Sequence, residues 1–184
     1  MNSNEQNTNT IQSLGDLVTA LSEGERTKYD HIIRSTNLPK SIYQNYCSWS
    51  SDSYTRNCIV DNDKFELILL CWEEGQITPI HDHGGEECWV KIIEGEFRET
   101  IYQENEIGEL AVVKSAVANT NDITYMIDFM GFHSLENLSN KRSMSLHLYA
   151  KPIRSCKLFD EVSGKFINKD LVYNTVSEFG TNKK

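Results

Sequence analysis

The chain has 184 residues, a formal charge of −9 and a sequence pI near 5.0. This length suits one domain with a full-sized core. The acidic balance argues against nucleic-acid binding, which usually depends on a basic patch. No apolar run approaches the about 18 residues that a membrane-spanning helix needs. We therefore expect neither a nucleic-acid partner nor a membrane partner.

The cysteines and the start of the chain indicate a reducing compartment. Five cysteines, at positions 47, 58, 71, 88 and 156, form no CxxC pair. The polar, Asn-rich start lacks the apolar core of a secretory signal. We expect residues 1–12 to be a disordered tail, residues 181–184 to be frayed, and the protein to be cytoplasmic, where disulfides are rare.

Helical patterns come first along the chain. Apolar residues at helical spacing predict a helix from Ser13 to Glu23, with Ser13 as its N-cap and Gly24 as its end. A second helical pattern covers about 25–34, and a short helical turn is expected around 41–47.

Strand-like segments follow from residue 54 onward, separated by Gly, Asn and Asp. Strands are predicted over 64–73, 88–95, 96–103, 109–118, 123–130, 143–150 and 169–176. Glu94-Gly95-Glu96 is expected to form a tight hairpin turn. The predicted fold is all-β, a jelly-roll β-barrel with a short helical N-terminal segment. Residues 13–180 are expected to form one domain, in which helices (13–50) pack on the barrel (54–180) around a small-ligand cavity.

Histidines at a two-residue spacing predict a metal site. His81 and His83 point to the same face if they lie on a strand, so they can reach one ion. Among the five histidines, His133 is the best placed to complete the set. Three neutral imidazoles suit Zn²⁺, Fe²⁺, Cu²⁺ or Ni²⁺. Zinc would indicate a hydrolase or hydratase, whereas iron leaves positions for a chelating substrate and O₂. A hydrogen-bonded pair without metal is the alternative.

A second polar pattern alternates with two leucines. Ser145, His147 and Tyr149 occupy one face of a predicted strand, and Leu146 and Leu148 occupy the other. Either the leucines point inward and the polar row faces solvent, or the polar row lines a wet pocket in which its members are hydrogen-bonded. The nearby metal motif favours the pocket.

These motifs resemble a known family. The pattern Gly75-x₅-His81-x-His83-x₄-Cys88-x₆-Gly95 is similar to the first cupin motif, with Cys88 where most cupins have a glutamate. The segment Gly131-x-His133-x₃-Asn137 matches the second motif in part, without its usual proline and with one residue fewer before the histidine. Five stretches resemble animal-type cysteine dioxygenase in matching order, over about residues 40–180; they are residues 54–57, 70–75, 80–83, 133–137 and 145–149.

The resemblance implies a non-heme iron enzyme that converts L-cysteine and O₂ to cysteine sulfinic acid, in cysteine catabolism and taurine biosynthesis. Thiolate and amine of the substrate would chelate the iron, and both oxygen atoms would be added to sulfur. The family's functional positions fall on His81, His83 and His133 for one Fe²⁺ per chain, Arg56 and Tyr54 for the substrate, Cys88 and Tyr149 for a thioether cross-link, His147 beside the tyrosine hydroxyl, and Ser145 behind it.

Alternatives remain at this point. The substrate is expected to be a small molecule with a carboxylate, because Arg56 matches a carboxylate clamp that Lys cannot reproduce. A dioxygenase for 3-mercaptopropionate or cysteamine, or a non-enzymatic metal-binding or ligand-binding cupin, is a second possibility. Glu87 is a rival fourth ligand, since Gly84-Gly85 could absorb a one-residue shift. Lys151 stands where the animal enzymes have a proline. The protein is expected to be a monomer.

Overall fold

The computed structural model describes residues 10–177 and Phe179. Residues 1–9 of the predicted tail, and the predicted frayed end at 181–184, lie outside the described residues. Residues 10–12 form neither helix nor strand, and Ile11 packs against the core. The helical segments before the first strand are a 3₁₀ turn Arg26–Lys28, a 3₁₀ turn Lys40–Tyr46, and two α-helices, α1 (Leu14–Glu23) and α2 (Tyr29–Ser35).

The first helix begins and ends where the sequence predicts. The Ser13 hydroxyl accepts a hydrogen bond from the Asp16 N–H at 3.1 Å, which satisfies one of the free amides of the first turn. The Gly24 N–H donates to the Ala20 carbonyl at 2.9 Å as the chain leaves the helix. The predicted N-cap and stop are confirmed.

Eleven strands follow in the described part of the chain. They are β1 (Thr55–Asp61), β2 (Glu66–Trp72), β3 (Cys88–Glu94), β4 (Glu96–Glu104), β5 (Leu110–Asn119), β6 (Ile123–Met126), β7 (Phe132–Asn137), β8 (Ser143–Tyr149), β9 (Ser155–Asp160), β10 (Lys165–Asp170) and β11 (Thr175–Val176).

The strands form two main sheets that share one core. The first has the order β11-β1-β2-β8-β3-β6, and the second has the order β5-β4-β7. Isolated bridges join His81 to His133 on β7 and to Leu158 on the β9–β10 hairpin. Side chains from both sheets, such as Leu70 and Leu135, meet in one buried cluster. The predicted all-β jelly roll with a helical N-terminal segment is confirmed.

The central strands of the six-stranded sheet are buried on both faces. Along β2, Leu67 and Leu69 pack in the cluster that contains the helix residues, while Ile68 and Leu70 pack in the cluster between the sheets. Every residue of β2 and of β8 is therefore buried. The leucines of β8 lie under the helices, which leaves its polar row on the inner face. This decides between the two orientations that the alternation allows.

A buried lysine joins the helices to the sheet. Lys91 on β3 is 4% exposed, and its ammonium donates to the carbonyls of Ile33 and Thr36 at the end of α2. These carbonyls have no partner within the helix, so the ammonium satisfies them. Its positive charge also interacts favourably with the negative end of the helix dipole. The limits of a single domain, 13–180, stay a prediction.

The predicted hairpin at Gly95 is wrong. The chain does turn there, but β3 pairs with β6 and β8, whereas β4 pairs with β5 and β7. Gly95 has a φ of 109°, and a side chain there would overlap Ser143. The turn therefore carries the chain from one sheet to the other, and glycine is required for the close approach.

Two predicted strands are shorter than expected. Instead of one strand over 169–176, β10 ends at Asp170 and β11 begins at Thr175. The segment between them is hydrogen-bonded to β1, where the Asn174 N–H donates to the Arg56 carbonyl at 2.7 Å. Instead of 123–130, β6 ends at Met126 and a 3₁₀ turn follows. Within the described residues, no helix is long and apolar enough to cross a membrane.

Candidate metal centre and substrate pocket

Three histidine rings meet inside the jelly roll. His81 and His133 pair through their backbones, since each N–H donates to the other's carbonyl, at 3.0 and 2.9 Å. His83 follows two residues after His81. The ring centroids lie 5.5 Å apart for His81 and His83, and 4.7 Å apart for each of these with His133. One ring nitrogen from each residue lies within 4.8 Å of the others. The structure thus brings the predicted trio together.

His81 and His83 are expected to lie on a regular strand, but they do not. His81 forms a bridge, and the chain then bends through residues 82–85. The Asp128 carboxylate shapes this bend by accepting hydrogen bonds from the His83 N–H at 2.9 Å and the Gly85 N–H at 2.6 Å. Asp82 accepts from the Lys157 N–H at 2.8 Å on the other side. Asp128 and the Lys157 backbone, which are distant in the chain, therefore hold the segment that carries His83 in place.

Hydrogen bonds orient two of the rings. The His81 Nδ1 lies 2.8 Å from the Pro79 carbonyl, and the His133 Nδ1 lies 2.8 Å from the Glu99 carboxylate. Because these oxygens accept, each Nδ1 carries the proton and each Nε2 keeps a free lone pair. Metal-binding histidines almost always donate their other ring N–H to such oxygens. The His83 Nδ1 is buried without a hydrogen-bond partner among the described residues.

Glu99 is a residue that the sequence analysis missed. It is 7% exposed and lies on β4, where Phe97 and Ile101 on the same face are also buried. A glutamate in a row of apolar, inward positions was the signal that could have identified it. Its carboxylate also accepts a hydrogen bond from the Thr124 hydroxyl at 3.3 Å.

Burial keeps His81 and His83 neutral. It lowers the pKa of His81 to about 3, and the nearby His133 adds to this effect. Burial, followed by the proximity of His133, also lowers the pKa of His83 well below its ordinary value. Metal ions bind the neutral imidazole. In the type and the closeness of their donor atoms, His81, His83 and His133 fit a divalent ion that accepts three nitrogen ligands.

Within the described part of the chain, Arg56 has one N–H without a hydrogen-bond partner beside these histidines. Its side chain is 12% exposed, and its Nη2 lies 3.4 Å from the Oε1 of Glu66. The Arg56 Nε is buried without a partner among the described residues. Burial by itself lowers the pKa of the guanidinium, but Tyr149 and Glu66 raise it above its ordinary value. The guanidinium stays charged, and a buried N–H without an acceptor costs about 1–3 kcal/mol until a ligand supplies one.

Cys88 and Tyr149 face each other across two strands. They are direct partners in the register of β3 and β8, so their side chains share the inner face. Both are buried, at 0% and 3% exposure. Burial raises the pKa of the Tyr149 hydroxyl well above its ordinary value, and it also raises the pKa of the Cys88 thiol. Both groups are therefore protonated at neutral pH.

Ser145 and His147 belong to a buried hydrogen-bonded row. The Trp72 Nε1–H donates to the Ser145 hydroxyl at 2.9 Å, and this hydroxyl lies 2.8 Å from the His147 Nε2. Since the indole can only donate, the serine proton is free to point at His147. The rings of His147 and Tyr149 have centroids 6.3 Å apart. A hydrogen bond of His147 near the tyrosine hydroxyl stays a prediction.

Glu87 as a fourth ligand is wrong. Its carboxylate accepts hydrogen bonds from the Tyr125 hydroxyl and from the Arg26 Nε, both at 2.6 Å. These partners lie on the outer side of the sheet, near α2. The residue before Cys88 points away from the interior because neighbouring side chains of a strand face opposite ways. The alternative slip at Gly84-Gly85 does not occur.

A cavity of about 350 Å³ opens beside these groups. Its walls include four of the predicted site residues, Tyr54, Arg56, His81 and Tyr149. The Tyr54 ring stacks on Trp72 at 4.7 Å between centroids, so it is held in place against the core. The volume lies in the range of small-molecule sites, about 300–1,000 Å³.

Comparison with known proteins identifies the family of this chain. The sequence model of the family described as "Cysteine dioxygenase type I" matches residues 4–162. The "Cysteine dioxygenase type 1" of Danio rerio is 32% identical over 164 residues, which cover 83% of this chain and 82% of that protein. The Homo sapiens protein of the same name is 35% identical over 123 residues, 65% of this chain and 62% of that protein.

A solved structure is also similar in part. It is an uncharacterized conserved protein with a double-stranded β-helix domain from Klebsiella pneumoniae, with a TM-score of 0.46 and 15% identity over 69% of this chain and 93% of that one. At this level the likeness supports no argument of its own. The family match covers residues 4–162 of 184. The chain therefore belongs to the cysteine dioxygenase type I family, whose members are oxidoreductase enzymes.

Proposed function

We propose that this enzyme oxidises L-cysteine with O₂ to cysteine sulfinic acid. One observation carries the proposal: three imidazoles converge on one point, and one of them, His81, lines the same cavity as the Arg56 guanidinium, which has a free N–H. Both atoms of O₂ are added to sulfur, so the thiol becomes a sulfinic acid that retains the thiol hydrogen. No other reductant is needed.

His81, His83 and His133 would hold one Fe²⁺ per chain. When bound, the ferrous ion would hold the substrate thiolate and amine and supply the redox chemistry that allows O₂ to react with sulfur. Three neutral imidazoles bring no negative charge to the metal, unlike a site with a carboxylate ligand. The substrate thiolate would supply that charge. This donor set therefore suits a substrate that is itself an anionic ligand.

Arg56 and Tyr149 would recognise the remainder of the substrate. The carboxylate would accept a charge-assisted hydrogen bond from the Arg56 Nε–H, which lacks another acceptor. The Tyr149 hydroxyl, protonated because of its raised pKa, can donate a hydrogen bond to the carboxylate or to the reacting oxygen. His147 and Ser145 would position this hydroxyl from behind, and Tyr54 would close the pocket beside Arg56.

We also propose a thioether between the Cys88 sulfur and a ring carbon of Tyr149. The bond forms with loss of the thiol hydrogen and one ring hydrogen, and O₂ accepts the two electrons and two protons. The opposed positions of the two residues support this proposal. Action in the cytoplasm as a monomer, in cysteine catabolism and taurine biosynthesis, stays a prediction.

Oxygen uptake tests the proposed function. Protein loaded with Fe²⁺ under anaerobic conditions is expected to consume one O₂ for each cysteine sulfinic acid formed, with one iron per chain. His133→Ala should lose both iron and uptake, while His31→Ala, at an exposed position on α2, should keep both. Iron-loaded protein that consumes no O₂ with L-cysteine would contradict the proposal. Faster turnover of 3-mercaptopropionate or cysteamine would assign it to a different thiol.

Glu99→Gln is expected to weaken Fe²⁺ binding. The amide oxygen can accept only a neutral hydrogen bond from the His133 Nδ1–H, so the ring becomes a weaker base and is held less firmly. Loss of such a charged partner costs about 10- to 100-fold in metal affinity. Competition with a chelator measures the change. Glu104→Gln, at an exposed position of the same strand, is the control, and equal iron affinity in the two variants would refute the role of Glu99.

Arg56→Ala should raise the KM for L-cysteine while iron content stays normal. Hydrogen bonds to charged groups contribute about 1.5–3 kcal/mol, so the KM is expected to rise by about 10- to 100-fold. Cysteamine, which has no carboxylate, should show little change. Arg98→Ala, on the surface of β4 and paired with Glu136, provides the control. An unchanged KM for cysteine would place the carboxylate elsewhere.

Cys88→Ser is expected to abolish the cross-link without unfolding the protein. The mass of wild-type protein after turnover should be lower than the sequence mass by two hydrogens, and the variant should show no such difference. Cys58→Ser, at another buried position, should keep the deficit. Intact mass spectrometry makes the measurement, and wild-type protein at its full sequence mass after turnover rules the cross-link out.

A further inference from the structure

Glu66 is a buried acid whose two oxygens have different partners. It begins β2, its side chain is 0% exposed, and Tyr149 is its direct neighbour on β8. Its Oε1 lies 3.4 Å from the Arg56 Nη2, while its Oε2 accepts a hydrogen bond from the Ile153 N–H at 2.9 Å. A buried carboxylate is costly unless it is paired and hydrogen-bonded. Glu66 therefore depends on both partners.

These contacts connect Arg56 to the wall of the cavity. Ile153 lines the cavity, and its backbone N–H fixes one end of the Glu66 carboxylate. The other end meets the guanidinium through a single nitrogen, which leaves the Arg56 Nε–H unpaired. Glu66 thus restrains Arg56 without using the N–H that a ligand would need.

The nearby Asp61 does not share this role. It is the β1 partner of Glu66, but its carboxylate is held by the Arg154 guanidinium through two contacts of 2.8 Å. The Tyr173 hydroxyl also donates to Asp61, at 3.2 Å. Glu66 is therefore the acid that balances the charge of Arg56, since Asp61 already has its own cation.

We propose that Glu66 is a positioning residue for substrate recognition. Glu66 holds the Arg56 guanidinium beside the cavity and offsets the guanidinium charge before the substrate binds. It leaves the Arg56 Nε–H free for the substrate carboxylate. Without Glu66, the buried cation would turn toward solvent, because an unpaired buried charge is strongly disfavoured. This inference rests on the proposed function, in that it requires a thiol substrate that carries a carboxylate.

The role has two consequences. Thiols with a carboxylate depend on Glu66, whereas cysteamine does not. In addition, Glu66 acts only through Arg56, so the two substitutions are not additive. A merely structural role for Glu66 would affect both thiols alike and would persist when Arg56 is absent.

Anaerobic titration of Fe²⁺-loaded protein with L-cysteine and with cysteamine tests the inference. Glu66→Gln keeps the size of the side chain and loses its charge, and Glu66→Ala removes both oxygens. The Kd for L-cysteine is expected to rise by about tenfold in each variant, while the Kd for cysteamine stays within about twofold. In an Arg56→Ala background, Glu66→Gln should cause no further loss. Glu74→Gln, at an exposed position just after β2, is the matched control.

Several results would overturn the inference. These are an equal loss of affinity for cysteamine, an additive loss in the Arg56→Ala background, or an unchanged Kd for L-cysteine. If Glu66→Ala does not fold, Glu66→Gln decides. Binding is measured without O₂, so wild-type protein that binds L-cysteine but consumes no O₂ refutes the proposed function and leaves the role of Glu66 to the Kd values. Wild-type protein that does not bind L-cysteine refutes both.

Discussion

The cost of burying polar groups between two sheets is the constraint on which the rest of this structure depends. A polar side chain in such a core must find a partner or meet a ligand. Most members of the inner row do have partners, as with Ser145, which accepts from Trp72 and contacts His147. Among the described residues, the exceptions include the Nδ1 atoms of His83 and His147, and the Arg56 Nε beside the cavity. The free Arg56 N–H marks where the substrate is expected.

The polar row of β8 faces inward because the opposite face of this strand is also covered. The N-terminal helices bury the leucines of β8 on one side, and the second sheet buries the polar row on the other. The histidines come from separate places in this framework: His81 lies on a connecting segment and His133 on β7. Their backbone pairing fixes the distance between these places, so the metal centre is part of the fold rather than a feature of a loose loop.

Charge balance follows from the same burial. Burial keeps His81 and His83 neutral, and the charge of Arg56 is offset by Glu66. The Glu99 carboxylate beside His133 adds one negative charge to the site. A bound divalent metal would still leave an excess of positive charge, which a substrate with a thiolate and a carboxylate would offset. In a low-dielectric interior this attraction is stronger than it would be in water.

The sequence alone determined the fold class, the histidine trio and the closeness of Cys88 to Tyr149, because these depend on local spacing and on motifs that resemble a known family. The tertiary structure alone decided which face of β8 is inside, since alternation defines two faces but not what covers each one. It also decided that Gly95 joins two sheets, because a turn does not specify the partner of a strand. Glu99 and Glu66 emerged only from the structure, because their hydrogen bonds join residues far apart in the chain.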